Sequence, residues 1–225
     1  MRDIYHDELD DIGKTLVAMN TMVRHAMERA TRALLDGDLA GAEQVISQDP
    51  QVDALRQDVE ARTFQLIARQ QPVASDLRVL TSTLHLIDDL ERMGDLALHI
   101  AKVARMRYPE IAVPSELRDA ISQMGTVALS LVDKVGAVID GRDVALAQAI
   151  EAEDDSMDAL HRKLFTLLLS PTWSHGIEAA IDMTLLGRYY ERYADHAVAV
   201  ARRIVFIVTG RLPEPMSTGI TQFSG

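Results

Sequence analysis

The sequence has no cysteine, which removes disulfides, zinc-finger sites and thiolate nucleophiles together. Aromatic residues reach only 4%, and glycine and proline number 12 and 7 in 225 residues. With 48% hydrophobic residues, mostly Ala, Leu, Val and Met beside Arg, Asp and Glu, the composition is a helix-rich recipe. Basic charge is in deficit: the formal net charge of −11 argues against a general nucleic-acid binder, which needs a basic face. Long apolar runs are missing too. The uncharged windows 120–132 and 164–177 fall short of the roughly 18 apolar residues of a membrane span. The first eight residues, Met1 to Glu8, form no apolar signal region. No Walker-type glycine loop and no Ser/His/Asp order is present. These absences leave a soluble cytoplasmic protein of one large or two small domains.

What is present is periodicity. Residues 3–36 place Ile12, Leu16, Met19, Val23, Met27, Ala30 and Leu34 at gaps of three and four, the stripe of a long amphipathic helix. Asp36-Gly37-Asp38 ends it. A second segment, 39–69, carries Ala42, Val45, Asp49, Asp53, Glu60, Phe64 and Ile67 on one side, with Pro50 as a kink or a start. Gln71-Pro72 breaks the pattern, and a third helix runs over 73–107 with Ser75 or Asp76 as its cap. Pro114-Ser115-Glu116 opens a fourth, which reaches Asp140-Gly141. The fifth, 144–169, aligns Ala147, Ile150, Asp154, Asp158, His161, Phe165 and Leu168, and the sixth covers 174–210.

The chain repeats itself. Glu91-Arg92-Met93-Gly94-Asp95 returns as Glu191-Arg192-Tyr193-Ala194-Asp195, 100 residues later. Asp53-Ala54-Leu55 returns as Asp158-Ala159-Leu160 at an offset of 105, and Asp36-Gly37 as Asp140-Gly141 at 104. The expected fold is therefore all-α: two tandem homologous antiparallel three-helix bundles, over 1–110 and 111–211, with 212–225 a disordered tail rich in Pro, Ser, Thr and Gly.

Chemistry concentrates in acids that interrupt the apolar stripes. The acids of Glu91/Asp95 are spaced i, i+4 and lie about 40° apart on one helix face. The stripe through Leu77, Leu80 and Leu84 continues into Asp88, Glu91, Asp95 and Leu98. Each copy supplies two such pairs, Asp49/Asp53 with Glu91/Asp95 and Asp154/Asp158 with Glu191/Asp195. Asp53 and Glu91 stand equally far from Pro72, so antiparallel neighbours hold them level; around Pro171 the match is poorer unless the connection is longer. Four converging carboxylates repel, and a hard cation (Mg²⁺, Ca²⁺, Mn²⁺ or iron) relieves them. The competing reading makes them solvated acids paired with Arg92 and Arg192. His161 extends one stripe as a further donor or a packed core histidine. No glutamate is followed by histidine three residues on, which counts against di-iron chemistry of the Glu-x-x-His kind. A metal-dependent enzyme, di-iron oxidase or phosphohydrolase, is nonetheless the alternative class. Tyr189, Tyr190 and Tyr193 read as packing.

With these motifs laid out, residues 3–210 resemble the PhoU family of bacterial phosphate-signalling regulators. The resemblance rests on the doubled Glu-Arg block, the upstream acid pairs, and Arg69-Gln70-Gln71-Pro72-Val73-Ala74-Ser75-Asp76-Leu77-Arg78. Two departures fall in the second copy, Ala194 for the usual glycine and Ser170-Pro171-Thr172-Trp173 for the Arg-Gln-Pro segment. The resemblance implies metal ions or clusters (iron, zinc, magnesium or manganese) at the acid motifs, and no catalysis. It also implies negative regulation of the phosphate-starvation response through the ATPase subunit of the phosphate ABC transporter and a sensor histidine kinase. Homodimers and peripheral membrane association through those partners are part of the same expectation.

Overall fold

The structure, a computed structural model, describes residues 2–70 and 72–211; the tail expected to be disordered lies outside them. Six helices follow in order: α1 (Arg2–Asp36), α2 (Leu39–Gln70), α3 (Ala74–Arg107), α4 (Arg118–Gly141), α5 (Val144–Leu168) and α6 (Gly176–Thr209). A 3-10 turn, Ser115–Leu117, leads into α4, and there is no strand among the described residues. All seven stripe residues of α1, from Ile12 to Leu34, are buried. Each of the six larger side chains among them contributes about 1.5–3 kcal/mol on removal from water, so this face fixes the orientation of α1 against its neighbours.

The first turn of each copy is built alike. Gly37 (φ 66°) and Arg142 (φ 52°) take the left-handed conformation that ends α1 and α4. The aspartate that follows then caps the next helix: Asp38 accepts from Gly41 N at 3.0 Å, and Asp143 from Ala145 N at 2.8 Å. The true equivalence is thus Gly37 with Arg142, one residue beyond the Asp-Gly match seen in the sequence.

α2 runs unbroken through Pro50, which sits on its exposed side. Its buried stripe is Ala42, Val45, Val52, Val59, Thr63 and Leu66, while Phe64 is exposed. The stripe expected through Asp49, Asp53 and Glu60 is therefore displaced by one residue, about 100° around the helix. On α3 the buried residues include Leu80, Thr83, Ile87, Leu90, Gly94, Ala97 and Ala101, and also Leu98 of the expected stripe, whereas Leu77 and Asp88 are exposed. The acids border the core instead of interrupting it.

The two bundles lie side by side around one continuous core. α1, α3, α4 and α6 form the centre, with α3 against α6 and α1 against α4; α2 and α5 each cover only their own bundle. α3 and α6 run antiparallel. Arg78 Nε donates to Ile207 O at 3.1 Å at one end, and Arg107 Nε to the buried Asp182 at 2.5 Å at the other. α1 approaches α4 at Gly125 and Gly136, where an added Cβ would fall 2.6 Å from Thr31 Cγ2 and Asn20 Nδ2 respectively. Asn20 Nδ2 also donates to Val132 O at 3.0 Å.

Tyr190 and Tyr193 are completely buried, as packing residues should be, but only one is satisfied. Tyr190 Oη shares a 2.8 Å hydrogen bond with Thr31 Oγ1 on α1; Tyr193 Oη has no partner among the described residues. Tyr190→Phe is expected to cost about 1–2 kcal/mol by stranding a buried hydroxyl. Tyr193→Phe is expected to be neutral or stabilising by up to about 1 kcal/mol. Urea denaturation of the two variants checks this, and equal destabilisation would contradict it.

Candidate functional site

In each bundle the outer helix carries one acid pair to the edge of the core and the motif helix carries the other. α2 and α3 pack directly, as do α5 and α6. The four acids of each set are near enough to feel one another's charge. Asp49 is held above the ordinary carboxylate range first by burial, then by Asp53 and Asp95, with Lys102 opposing. Glu91 is raised by burial and Asp95, moderated by Arg92, and again by Asp53. Asp154 is pushed up to about 7, by burial first and then by Asp195, Asp158 and Glu191. Glu191 and Asp195 are raised mainly by burial, with Arg188 opposing in both. The structure therefore brings together both expected sets: Asp49, Asp53, Glu91 and Asp95, and Asp154, Asp158, Glu191 and Asp195.

The register of the second set follows from its connection. Seven residues, 169–175, separate α5 from α6, against three between α2 and α3. The added length lets Asp158 meet Glu191 in spite of the uneven count around Pro171.

Depth and partners differ within each set. Glu191 and Glu91 keep 16% and 20% of their side-chain surface and form the inner donors; Asp158, at 49%, sits at the rim. Arg92 pairs with Asp95 at 3.0 Å and Glu91 at 3.7 Å, as the solvated reading requires. In the second copy Arg192 makes no ion pair among the described residues, and Arg188, which the sequence did not single out, takes Glu191 instead. Asp49, Asp53, Asp154 and Asp195 have no ion-pair partner among the described residues.

This donor set suits a hard cation: half-buried carboxylates raise one another's proton affinity, and an ion lowers that cost. His161 Nε2 is buried without a partner among the described residues, and burial lowers its pKa, with Arg188 adding to the effect. A neutral imidazole three residues beyond Asp158 fits a donor role in the second set. No group of three or more His, Asp or Glu side chains among the described residues is already gathered around one point, so side-chain rotation would have to complete any coordination.

Gly94 and Ala194 mark the departure between copies, and the space around Gly94 does not require glycine. A Cβ on Gly94 would meet Val52 and Val23 at 3.6 and 3.7 Å, ordinary contact, away from the carboxylates. Gly94→Ala is expected to stabilise the protein by about 0.5–1 kcal/mol through helix propensity, read as a higher melting temperature; a fall would show that the glycine is required.

The raised acids also set a pH dependence. Each is held above its unfolded-state value, so folding favours its protonated form. That contribution is complete below the unfolded carboxylate pKa and is lost as pH rises through the folded value, for Asp154 about 7. In chelator, Asp154→Asn should melt higher than the parent near pH 8, with the advantage vanishing near pH 4. A difference independent of pH would contradict the assignment.

Comparison with known proteins follows this geometry. The PhoU domain profile matches residues 16–104 and again 121–204. The chain is 47% identical over 213 residues to phosphate-specific transport system accessory protein PhoU homolog 2 of Mycobacterium tuberculosis, covering 95% of this chain and all of that one. It is 45% identical to PhoU homolog 1 of Mycobacterium leprae, covering 95% and 96%. The fold matches crystal structures of PhoU from Pseudomonas aeruginosa and of the phosphate transport system regulatory protein PhoU from Streptococcus pneumoniae. Both give a TM-score of 0.82 at 26% identity, covering 92% and 94% of this chain and all of theirs. The matched repeats are the two helical units that carry the acid sets, and the chain belongs to the PhoU family.

Proposed function

We propose that this protein is a regulatory accessory of a phosphate-uptake system, a cation-binding adaptor and not an enzyme. The reading is carried by one observation: a chain with two PhoU domains repeats the same four-carboxylate arrangement in both, each with acids that lack a cationic partner. Asp49, Asp53, Glu91 and Asp95 would hold ions in the first unit. Asp154, Asp158, Glu191 and Asp195 would do so in the second, with His161 within reach. The ion supplies positive charge that the polypeptide does not; iron, zinc, magnesium and manganese are the candidates. The names of the relatives, accessory and regulatory proteins of phosphate transport, support the cellular role. No helix among the described residues is long and apolar enough to cross a membrane, in keeping with an adaptor that reaches the membrane through its partners. We assign it a cytoplasmic place as a homodimer, linking the transporter's ATPase subunit to a sensor histidine kinase and damping the starvation response.

Two measurements test this. Metal analysis and melting of wild type beside Glu91→Ala/Asp95→Ala should show lower metal content in the variant. In the wild type alone, an ion at about a hundred times its dissociation constant should add about 2.7 kcal/mol. Equal metal content would count against the site, and turnover on oxygen or phosphate esters lost in the same variant would favour a metal-dependent enzyme. Affinity capture from phosphate-replete and phosphate-starved cells should recover the transporter ATPase or the kinase; recovery of neither would overturn the adaptor role.

A further inference from the structure

Between the bundles, at the middle of the α3–α6 contact, lies a cavity of about 120 Å³ that shares only Asp95 with the acid sets. It is lined by Arg92, Asp95 and His99 from α3 and by Tyr189, Arg192 and His196 from α6. Arg92 and Arg192 are the same motif position in the two copies. Because α3 and α6 run antiparallel, the duplication brings this arginine face to face with its own repeat.

The charges around the cavity do not cancel. Arg92 is engaged by Asp95 at 3.0 Å and, more distantly, by Glu91. Asp89, just outside, is taken by His196 Nδ1 at 3.0 Å. Arg192 makes no ion pair among the described residues, with Asp195 near enough only to feel its charge, although the protein as a whole carries eleven more acidic than basic charges. His99 stacks on Tyr189 with ring centroids 5.2 Å apart, which holds its ring as part of the wall. Two guanidinium groups beside one small cavity repel each other through space, and each offers a planar fork of N–H donors that matches an oxyanion in bidentate fashion. The volume admits several waters or one tetrahedral anion.

We propose that this cavity binds a tetrahedral oxyanion of the phosphate class, held between Arg92 and Arg192, as a free ion or as the phosphoryl end of a larger molecule. Asp95 is common to this cavity and to the first acid set, so the test is made without metal. Arg192 is the informative position, because its removal breaks no ion pair among the described residues.

Titration calorimetry with inorganic phosphate, at low ionic strength and in excess chelator so that no carboxylate-bound metal can recruit the anion, tests it. Wild type should bind one phosphate per chain, Arg192→Gln should weaken binding about tenfold or more, and Arg105→Gln, an exposed arginine on α3 about 20 Å along that helix from Arg92, should not. A phosphate monoester run in parallel separates the sources. Tighter binding of the monoester assigns the site to a phosphorylated molecule, and equal or weaker binding assigns it to the free ion. Absence of saturable binding by wild type to either probe, or an equal loss in Arg192→Gln and Arg105→Gln, overturns the proposal.

Discussion

The antiparallel contact of α3 with α6 organises the rest of the molecule. It is closed at both ends by polar bonds, Arg78 to Ile207 O and Arg107 to Asp182, and at its middle by His196 to Asp89 and by His99 stacked on Tyr189. Asp182 is almost wholly buried, a position a carboxylate occupies only with a partner. That partner comes from the other copy. Neither bundle is thus independent: each supplies half of the polar frame that holds the pair, and Tyr190 bonded to Thr31 extends the frame to α1.

Around that frame the acid sets take their character from position. An exposed carboxylate is indifferent to its neighbours in water, but at a helix–helix border it is partly dehydrated and close to others. The first set is partly compensated, by Arg92 and more distantly by Lys102 and Arg56. In the second, Arg188 pairs with Glu191 and Arg162 with Asp158 at 3.8 Å, yet Asp154, unpaired among the described residues, rises furthest, by burial first. The copies therefore share a plan and differ in which acids carry the pairs and in how deeply the unpaired ones are buried.

Most of the helical architecture could be read from the sequence, because long 3/4-spaced stripes and Asp-capped turns are local signals. α1 follows its stripe residue for residue. The depth of the acids was less legible. On α2, Val52 and Asp53 are adjacent, and a 3/4 spacing passes through either; only the partner helix decides that Val52 faces inward. Arg188, Asp182 and the cavity between Arg92 and Arg192 were invisible for a related reason. Each depends on which helices meet, and periodicity does not say that α3 lies against α6. The duplicated motif held the hint, since two copies of one helix packed antiparallel bring some residue opposite its own counterpart.

One consequence concerns α5. Only Ala147, Ile150, Met157 and Leu164 of its 25 residues are fully buried, and it touches no helix of the other unit among the principal contacts. Mutual repulsion between its aspartates and those of α6 pushes outward on a segment with a shallow hydrophobic anchor. The electrostatic cost of the second acid set thus falls on the helix of the six with the fewest buried side chains.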